Sequence, residues 1–340
     1  MESLPIELHT QIFEFACTDD GATARALALV SRYVRDAASP FLFQSLSVSG
    51  LVQMDALVAR LHTLPPHARR IRHLFLSDWT RKEMLKGGAP FAEMERYDRE
   101  RALAARILEY ASPTLETLAL VAACPYTAAP LVGHLFALAL PHLEELSIHG
   151  FYPFPQSQSQ SQSQSQSHDN GGLPRLARLH LSGNRNPHGL LQLGALEAAC
   201  PALTHLRVSE VAGAAAFARE VYEAALPRPP TEEDARQGAA LSVSLFPSAL
   251  PARLRELVIE ARRPPEPAPN SNQHRHHHRA GAKRGALGAH EKMMTLLREV
   301  ELRRAETRLE KIEIVEGDGA DMFEVLRSDW LTRLQPQRQT

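Results

Sequence analysis

One short phrase recurs along this chain of 340 residues: a leucine-like residue, two mostly polar ones, Leu or Ile, any residue, then Leu, Ile or Val. It reads Ile71–Leu76, Leu115–Leu120, Leu143–Ile148, Leu176–Leu181, Leu203–Val208, Leu254–Ile259 and Leu309–Ile314, with a fainter copy at Leu42–Val48. Apolar residues alternating over five or six positions predict a strand with one buried face. Most copies follow a proline: Pro113, Pro141, Pro174, Pro201 or Pro251. Proline stops a preceding helix and resets the chain for a strand.

The intervals between copies carry helical patterns, at Tyr97–Tyr110, Pro130–Leu140, Leu190–Cys200, Ala214–Leu226 and Ala289–Arg304. Leu118 and Leu146 are 28 residues apart, and Leu179 and Leu206 are 27 apart. Leu74 to Leu118 (44 residues), Leu206 to Leu257 (51) and Leu257 to Ile312 (55) are longer and hold charged or Pro-rich inserts. The phrase and the shorter spacings resemble leucine-rich repeats, whose period is roughly 20–29 residues. One strand–helix unit cannot bury its apolar face alone, so such units stack. The resemblance implies an irregular leucine-rich-repeat solenoid, an α/β array with parallel strands on the concave side and helices on the convex side. An ordinary α/β domain also alternates strands with helices. Self-similarity of the phrase and the shared Pro punctuation favour the array.

The first 45 residues follow a different pattern. Pro5 stands where a helix can begin, and Glu7 falls in the first turn, where the helix dipole favours an anion. Leu8, Ile12 and Phe15 share one face, and Asp19-Asp20-Gly21 ends the helix. Thr23 is placed to cap a second helix to about Ser31. A third covers Tyr33–Ala38 and stops before Pro40. Leu4, Ile6 and Phe13 lie off the main apolar face or at the helix start, and exposed apolar groups on so small a unit predict a partner. A helical cap of a repeat domain is the plainer alternative.

The motif order is Leu4-Pro5, Glu7-Leu8, Ile12-Phe13, Leu29-Val30-Ser31-Arg32, then Pro40-Phe41-Leu42-Phe43. This order resembles an F-box, in a form similar to F-box-like proteins common in fungi. The resemblance implies a three-helix module docking a Skp1-like adaptor and through it a cullin. Carried over by position, Leu4, Pro5, Leu8, Ile12 and Phe13 match the docking strip, while Leu27, Val30 and Leu42 match the module's own core or edge. Two positions depart from the pattern: the usual tryptophans are here Tyr33 and Phe43.

Composition narrows the class. Hydrophobic residues make up 44% and aromatics only 6%, a bias toward Leu and Ala that suits helices and repeat stacks. The net charge of −1 gives no global pull toward nucleic acid or an anionic membrane. Cys17, Cys124 and Cys200 are odd in number and far apart, which fits a reducing compartment. No secretory signal pattern opens the chain, and the strongly apolar stretch near Ala128–Leu140 is too short to span a bilayer. The expectation is an intracellular protein, cytoplasmic or nuclear, with no membrane or nucleic-acid partner.

Catalytic motifs are not found: no G-x-S-x-G, P-loop, G-x-G-x-x-G or His-Glu-x-x-His. Gly317–Asp321 is too short for a calcium loop and reads as the turn after the last strand. His274, His276, His277 and His278, with Arg275, Arg279, Lys283 and Arg284, follow a Pro-rich run and read as a solvated linker rather than a metal site or import signal. Gln156–Ser167, a Ser-Gln alternation, has nothing apolar to bury. The expected organisation is an F-box-like module over 1–48 and a repeat domain over 49–335, with disordered inserts near 153–172 and 262–288. The expected function is a non-enzymatic substrate adaptor of a Skp1–cullin–F-box ubiquitin ligase, with no cofactor or metal. The alternative is a stand-alone repeat scaffold. An unknown protein substrate would meet the polar slots of the phrase, at His73, Glu116, Glu144, Arg178, His205, Glu256 and Glu310.

Overall fold

The computed structural model describes residues 4–86, 94–151, 172–226, 247–263, 277–317 and 321–335. Every copy of the phrase becomes a strand, and the eight strands follow chain order. The architecture is mixed α/β, with each described pair of neighbouring strands parallel. The chain divides into two compact units.

The first unit begins with helices α1 (Ile6–Ala16), α2 (Ala22–Leu27) and α3 (Arg32–Ala38). Strands β1 (Ser45–Ser49), β2 (His73–Ser77), β3 (Thr117–Val121) and β4 (Glu145–His149) then pair in register. Leu46, Leu74, Leu118 and Leu146 form one row, and Val48, Leu76, Leu120 and Ile148 the next. All eight are buried. Side chains alternate across a strand, so Phe75, Ala119 and Val121 point to the opposite face. Helices α4 (Gly50–Thr63), α5 (Arg81–Leu85), α6 (Met94–Ala111) and α7 (Ala128–Ala137) connect the strands, α4 packing on β1 and α6. After β4 the chain turns at Gly150, with φ +135°; a Cβ there would stand 2.2 Å from the Ala122 carbonyl oxygen, so only glycine fits.

In the second unit β5 (Arg178–Ser182), β6 (His205–Val211), β7 (Glu256–Arg262) and β8 (Lys311–Gly317) repeat the plan. Leu179, Leu206, Leu257 and Ile312 align, as do Leu181, Val208, Ile259 and Ile314. Helices α8 (Ala195–Ala199), α9 (Ala215–Ala225) and α10 (His277–Leu302) lie between them. The 190–200 interval is thus much less helical than its pattern predicts. Conversely, α10 begins twelve residues before the predicted Ala289, so 277–288 is helical where an insert was expected. Residues 264–276 and 152–171, with the whole Ser-Gln alternation Gln156–Ser167, lie outside the described residues.

One backbone device recurs in both units. The carbonyl of the second phrase position accepts the amides of the second and third positions of the next copy. Gln44 O takes Arg72 and His73, Arg72 O takes Glu116 and Thr117, and Glu116 O takes Glu144 and Glu145. Ala177 O, Thr204 O and Arg255 O do the same in the second unit. Within each unit every strand start after the first is therefore set by the strand before it, and the amides there are satisfied.

A last helix, α11 (Met322–Leu334), belongs to the first unit. Gly317, expected in the turn, is still in β8 and pairs with Arg262, and Asp321 is not simply part of a turn: its carboxylate accepts the Phe323 amide and caps α11.

Candidate protein-docking surfaces

The N-terminal helices form a small core with one apolar side left open. His9, Phe13 and Cys17 recur every four residues and turn inward. Phe13 and Cys17 pack with Ala24, Val34, Ala37, Ala38 and Phe41, supported by Leu27 and Leu42. Ser31 caps α3 by accepting the Val34 amide at 3.2 Å, so it starts the third helix rather than ending the second. Asp19 accepts from the Gly21 and Thr23 amides and the Thr23 hydroxyl, so Thr23 is held by Asp19 and Gly21 stands at the N-cap. Gln44 Nε2 donates to the Glu14 carbonyl at 2.8 Å, fastening α1 to the start of β1.

This core takes one residue out of the expected docking strip. Phe13, expected in the docking strip, is only 8% exposed and is a core residue. Its four-residue spacing to His9 and Cys17 aims it at α3. Leu8 and Ile12, the other helical positions of the expected strip, are exposed, and Phe15, which shares their face, is exposed at 76%. Leu4 and Ile6 continue the exposed side. His9 Nδ1 meets the Tyr33 hydroxyl at 3.0 Å and ties α1 to the corner that carries Leu29 and Val30, both exposed. Pro5 is exposed at the N-cap of α1.

The predicted substrate slots divide by unit. His73 is not an exposed-face residue: it is 8% exposed and hydrogen-bonded through Nδ1 to Thr117 Oγ1 at 3.1 Å. Burial pushes its imidazole down to about 4. Its neighbours on β3 and β4 in the same row are Thr117 and Glu145. Glu116 is taken up by Arg72, whose Nε donates at 2.7 Å while Nη1 donates to Glu14 at 2.8 Å. Glu144 is exposed beside β4. In the second unit Arg178, His205 and Glu256 stand side by side across β5, β6 and β7. His205 Nε2 lies 3.6 Å from Glu256 Oε1. Glu310, just before β8, is exposed, and Arg255 Nε lies 3.7 Å from it.

Deeper in that unit, His180 Nε2, Ser209 Oγ and Glu260 Oε2 are linked at 2.9 and 3.0 Å, and Arg207 donates to the same Glu260 oxygen at 3.0 Å. A serine nucleophile needs its proton directed at a base that a third group orients. Here the hydroxyl donates to Glu260, so the histidine donates to the serine, and the order is that of a buried polar bridge.

In the first unit the face opposite Leu74 and Leu76 is covered. Phe323, Leu326, Trp330 and Leu334 of α11 pack on Phe75, Ala119 and Val121. Arg81 bonds Asp321 at 2.8 Å and Glu324 at 3.2 Å, Arg327 bonds Asp20 at 2.8 Å, and Arg333 lies 3.5 Å from Glu145. Sequence reasoning passed over this contact. Its signal was an aromatic at the fifth phrase position, Phe75, on a face expected to be wet.

A buried acid cluster sits behind the same strands. Asp78, following β2, accepts the Ala123 amide at 2.9 Å and the Cys124 amide at 3.0 Å. Burial nevertheless pushes its carboxyl up to about 6. Arg96 on α6 donates to Glu100 at 2.9 Å and pairs with Glu83. Burial pushes Glu100 up to about 7 against the pull of Arg96. Burial also pushes the Cys17 and Cys200 thiols up, to about 11 and 12, so neither is poised as a thiolate. Among the described residues no three His, Cys, Asp or Glu side chains are grouped to hold a metal ion. His274 and His276 lie outside the described residues. No described helix is long and apolar enough to cross a membrane. The chain matches no protein-family model, no curated protein and no solved structure with which it was compared.

Proposed function

We propose that this chain is a substrate adaptor of a Skp1–cullin–F-box ubiquitin ligase, acting in the cytoplasm or nucleus. The observation that carries the reading is the open apolar side of α1. Leu4, Leu8 and Ile12 match docking positions of the F-box pattern and are exposed on a helical module that has its own small core. Large apolar side chains gathered on one side of a small unit mark a protein interface. Leu29, Val30 and Phe15 add exposed apolar surface to the same module. Pro5 completes the strip; Phe13 is no longer part of it.

In this reading the strands and helices beyond β1 form an irregular leucine-rich-repeat solenoid that holds a protein substrate. The register rows of leucines and the repeated carbonyl device support it. The mechanism is proximity: a substrate lysine held near a ubiquitin-loaded enzyme experiences a raised effective concentration. No bond chemistry is assigned to this chain.

The test is capture of the full chain by purified Skp1, beside a Leu8→Asp/Ile12→Asp variant. Capture of the natural chain, with at least tenfold loss in the variant, is expected. Failure to capture the natural chain overturns the ubiquitin reading and leaves a repeat scaffold with a helical cap.

A further inference from the structure

The strand face opposite the leucine rows is occupied in the first unit by the chain's own last helix, and the occupant describes what the face accepts. Four residues of α11, at i, i+3, i+7 and i+11, supply the contact. This spacing is one stripe of an α-helix. Phe323 meets Phe75 edge-on at 5.2 Å, and Trp330 lies tilted at 6.0 Å from the same ring.

We infer that the β2–β3 face is a groove for an amphipathic helix, held in cis by α11 and open to a partner helix of the same chemistry. That partner carries bulky apolar residues at i, i+3, i+7 and i+11 and an acid in its first turn.

Three observations support exchange over permanent closure. Trp330 Nε1 is enclosed without an acceptor, so the cis fit leaves a buried donor unpaired. Such a donor costs the full desolvation of its N–H. A ligand with Phe at that place avoids the penalty. Next, the polar fastenings of α11 are mostly partly exposed pairs, of Arg81 with Asp321 and Glu324 and of Arg327 with Asp20, with a longer pair of Arg333 to the more enclosed Glu145 at 3.5 Å. Pairs of this kind are weak and water replaces them readily. The Arg81 guanidinium is also the group that an acidic first turn of a partner would meet. Last, α11 contributes no strand, so its release breaks no ladder hydrogen bond. The inference deepens the substrate half of the proposed function. It is independent of the Skp1 half, and its test contains no Skp1, so the two can fail separately.

The test uses the full chain with Trp79→Phe, which leaves Trp330 as the one indole of the two in the sequence. The probe is a synthetic peptide with the sequence of residues 321–335, its tryptophan replaced by Phe so that it is silent. Saturable red-shift of Trp330 emission is expected, absent with a scrambled peptide. Leu326→Ala in the chain weakens only the cis helix and is expected to tighten apparent peptide binding at least tenfold. In the natural chain, α11 amides are expected to exchange hydrogen at least tenfold faster than those of β2 and β3. No shift in either background overturns the inference. So does loss of the cooperative melt in Leu326→Ala, or equal protection of α11 and the strands, because each makes α11 an inseparable part of the core.

Discussion

Phe323 stands edge-on to Phe75, with ring centroids 5.2 Å apart and planes 77° apart, joining the last helix to the second strand. Edge-to-face geometry places a ring's positive rim on its neighbour's negative face. Phe75→Ala removes this contact and the one to Trp330. It is expected to cost about 3–5 kcal/mol and to move Trp330 emission to the red. Leu74→Ala lies on the other side of β2 and is expected to cost about 2–5 kcal/mol without exposing Trp330. Urea denaturation followed by tryptophan fluorescence separates the two. A Phe75→Ala chain with unshifted Trp330 emission would sink the packing account.

The two phenylalanines of α1 give opposite outcomes two residues apart. Phe13→Ala opens the small N-terminal core and is expected to cost about 3 kcal/mol. Phe15→Ser, on the open side, is expected to change stability by less than about 0.5 kcal/mol while weakening any partner that docks there. Thermal melts of both variants check the assignment, and equal losses would contradict it.

Glu100 gives the first unit a pH dependence. Its carboxyl is pushed by burial from 4.5 up to about 7, with Arg96 opposing and Asp78 and Glu83 adding to the rise. The folded chain therefore keeps a proton that the unfolded chain has lost. Stability from this group is full below about pH 4.5 and falls as pH rises to about 7, by about 3 kcal/mol. Asp78 acts in the same direction between 3.8 and about 6. His73, pushed down to about 4, acts oppositely, losing stability as pH falls from 6.5. Glu100→Gln is expected to remove its share of the decline between pH 4.5 and 7. An unchanged profile of melting temperature against pH would reject the assignment.

Glu220 is a single brace in the second unit. Its carboxylate, almost fully buried on α9, accepts the Gly189 amide at 2.7 Å, Gln192 Nε2 at 3.1 Å and the Leu191 amide at 3.4 Å, and also meets His188 Nδ1. Glu220→Ala strands several donors at once and is expected to cost about 3 kcal/mol. Hydrogen exchange should quicken at Gly189 and Leu191 and leave β2 and β3 unchanged. Uniform quickening across both units would argue that the brace is not local.

The strands were the legible part of this fold. A phrase such as Leu203–Val208 puts its apolar groups on one side whatever surrounds it, so local pattern alone identifies β6. Helix faces were less legible. Leu8, Ile12 and Phe15 on one side of α1, and His9, Phe13 and Cys17 on another, are both apolar stripes, and only packing against α3 selects the second. The same limit applied to His73, whose polar character hid a buried place bonded to Thr117. The α11 contact was missed for another reason. Phe323, Leu326, Trp330 and Leu334 keep a helical period, but their partner Phe75 is some 250 residues away, a distance at which no local rule connects them.

Within each unit the carbonyl of the second phrase position fixes the start of the following strand through two amides, and it does so whether the intervening chain is 28 or 55 residues long. Registration is thus handed from neighbour to neighbour and owes nothing to the length of what lies between. Evolution can lengthen, shorten or replace any connecting stretch, with only the closing entropy of a longer loop against it, which grows slowly. A chain built this way behaves as a row of pegs with interchangeable cargo hung between them, and its variety is free to accumulate in the intervals.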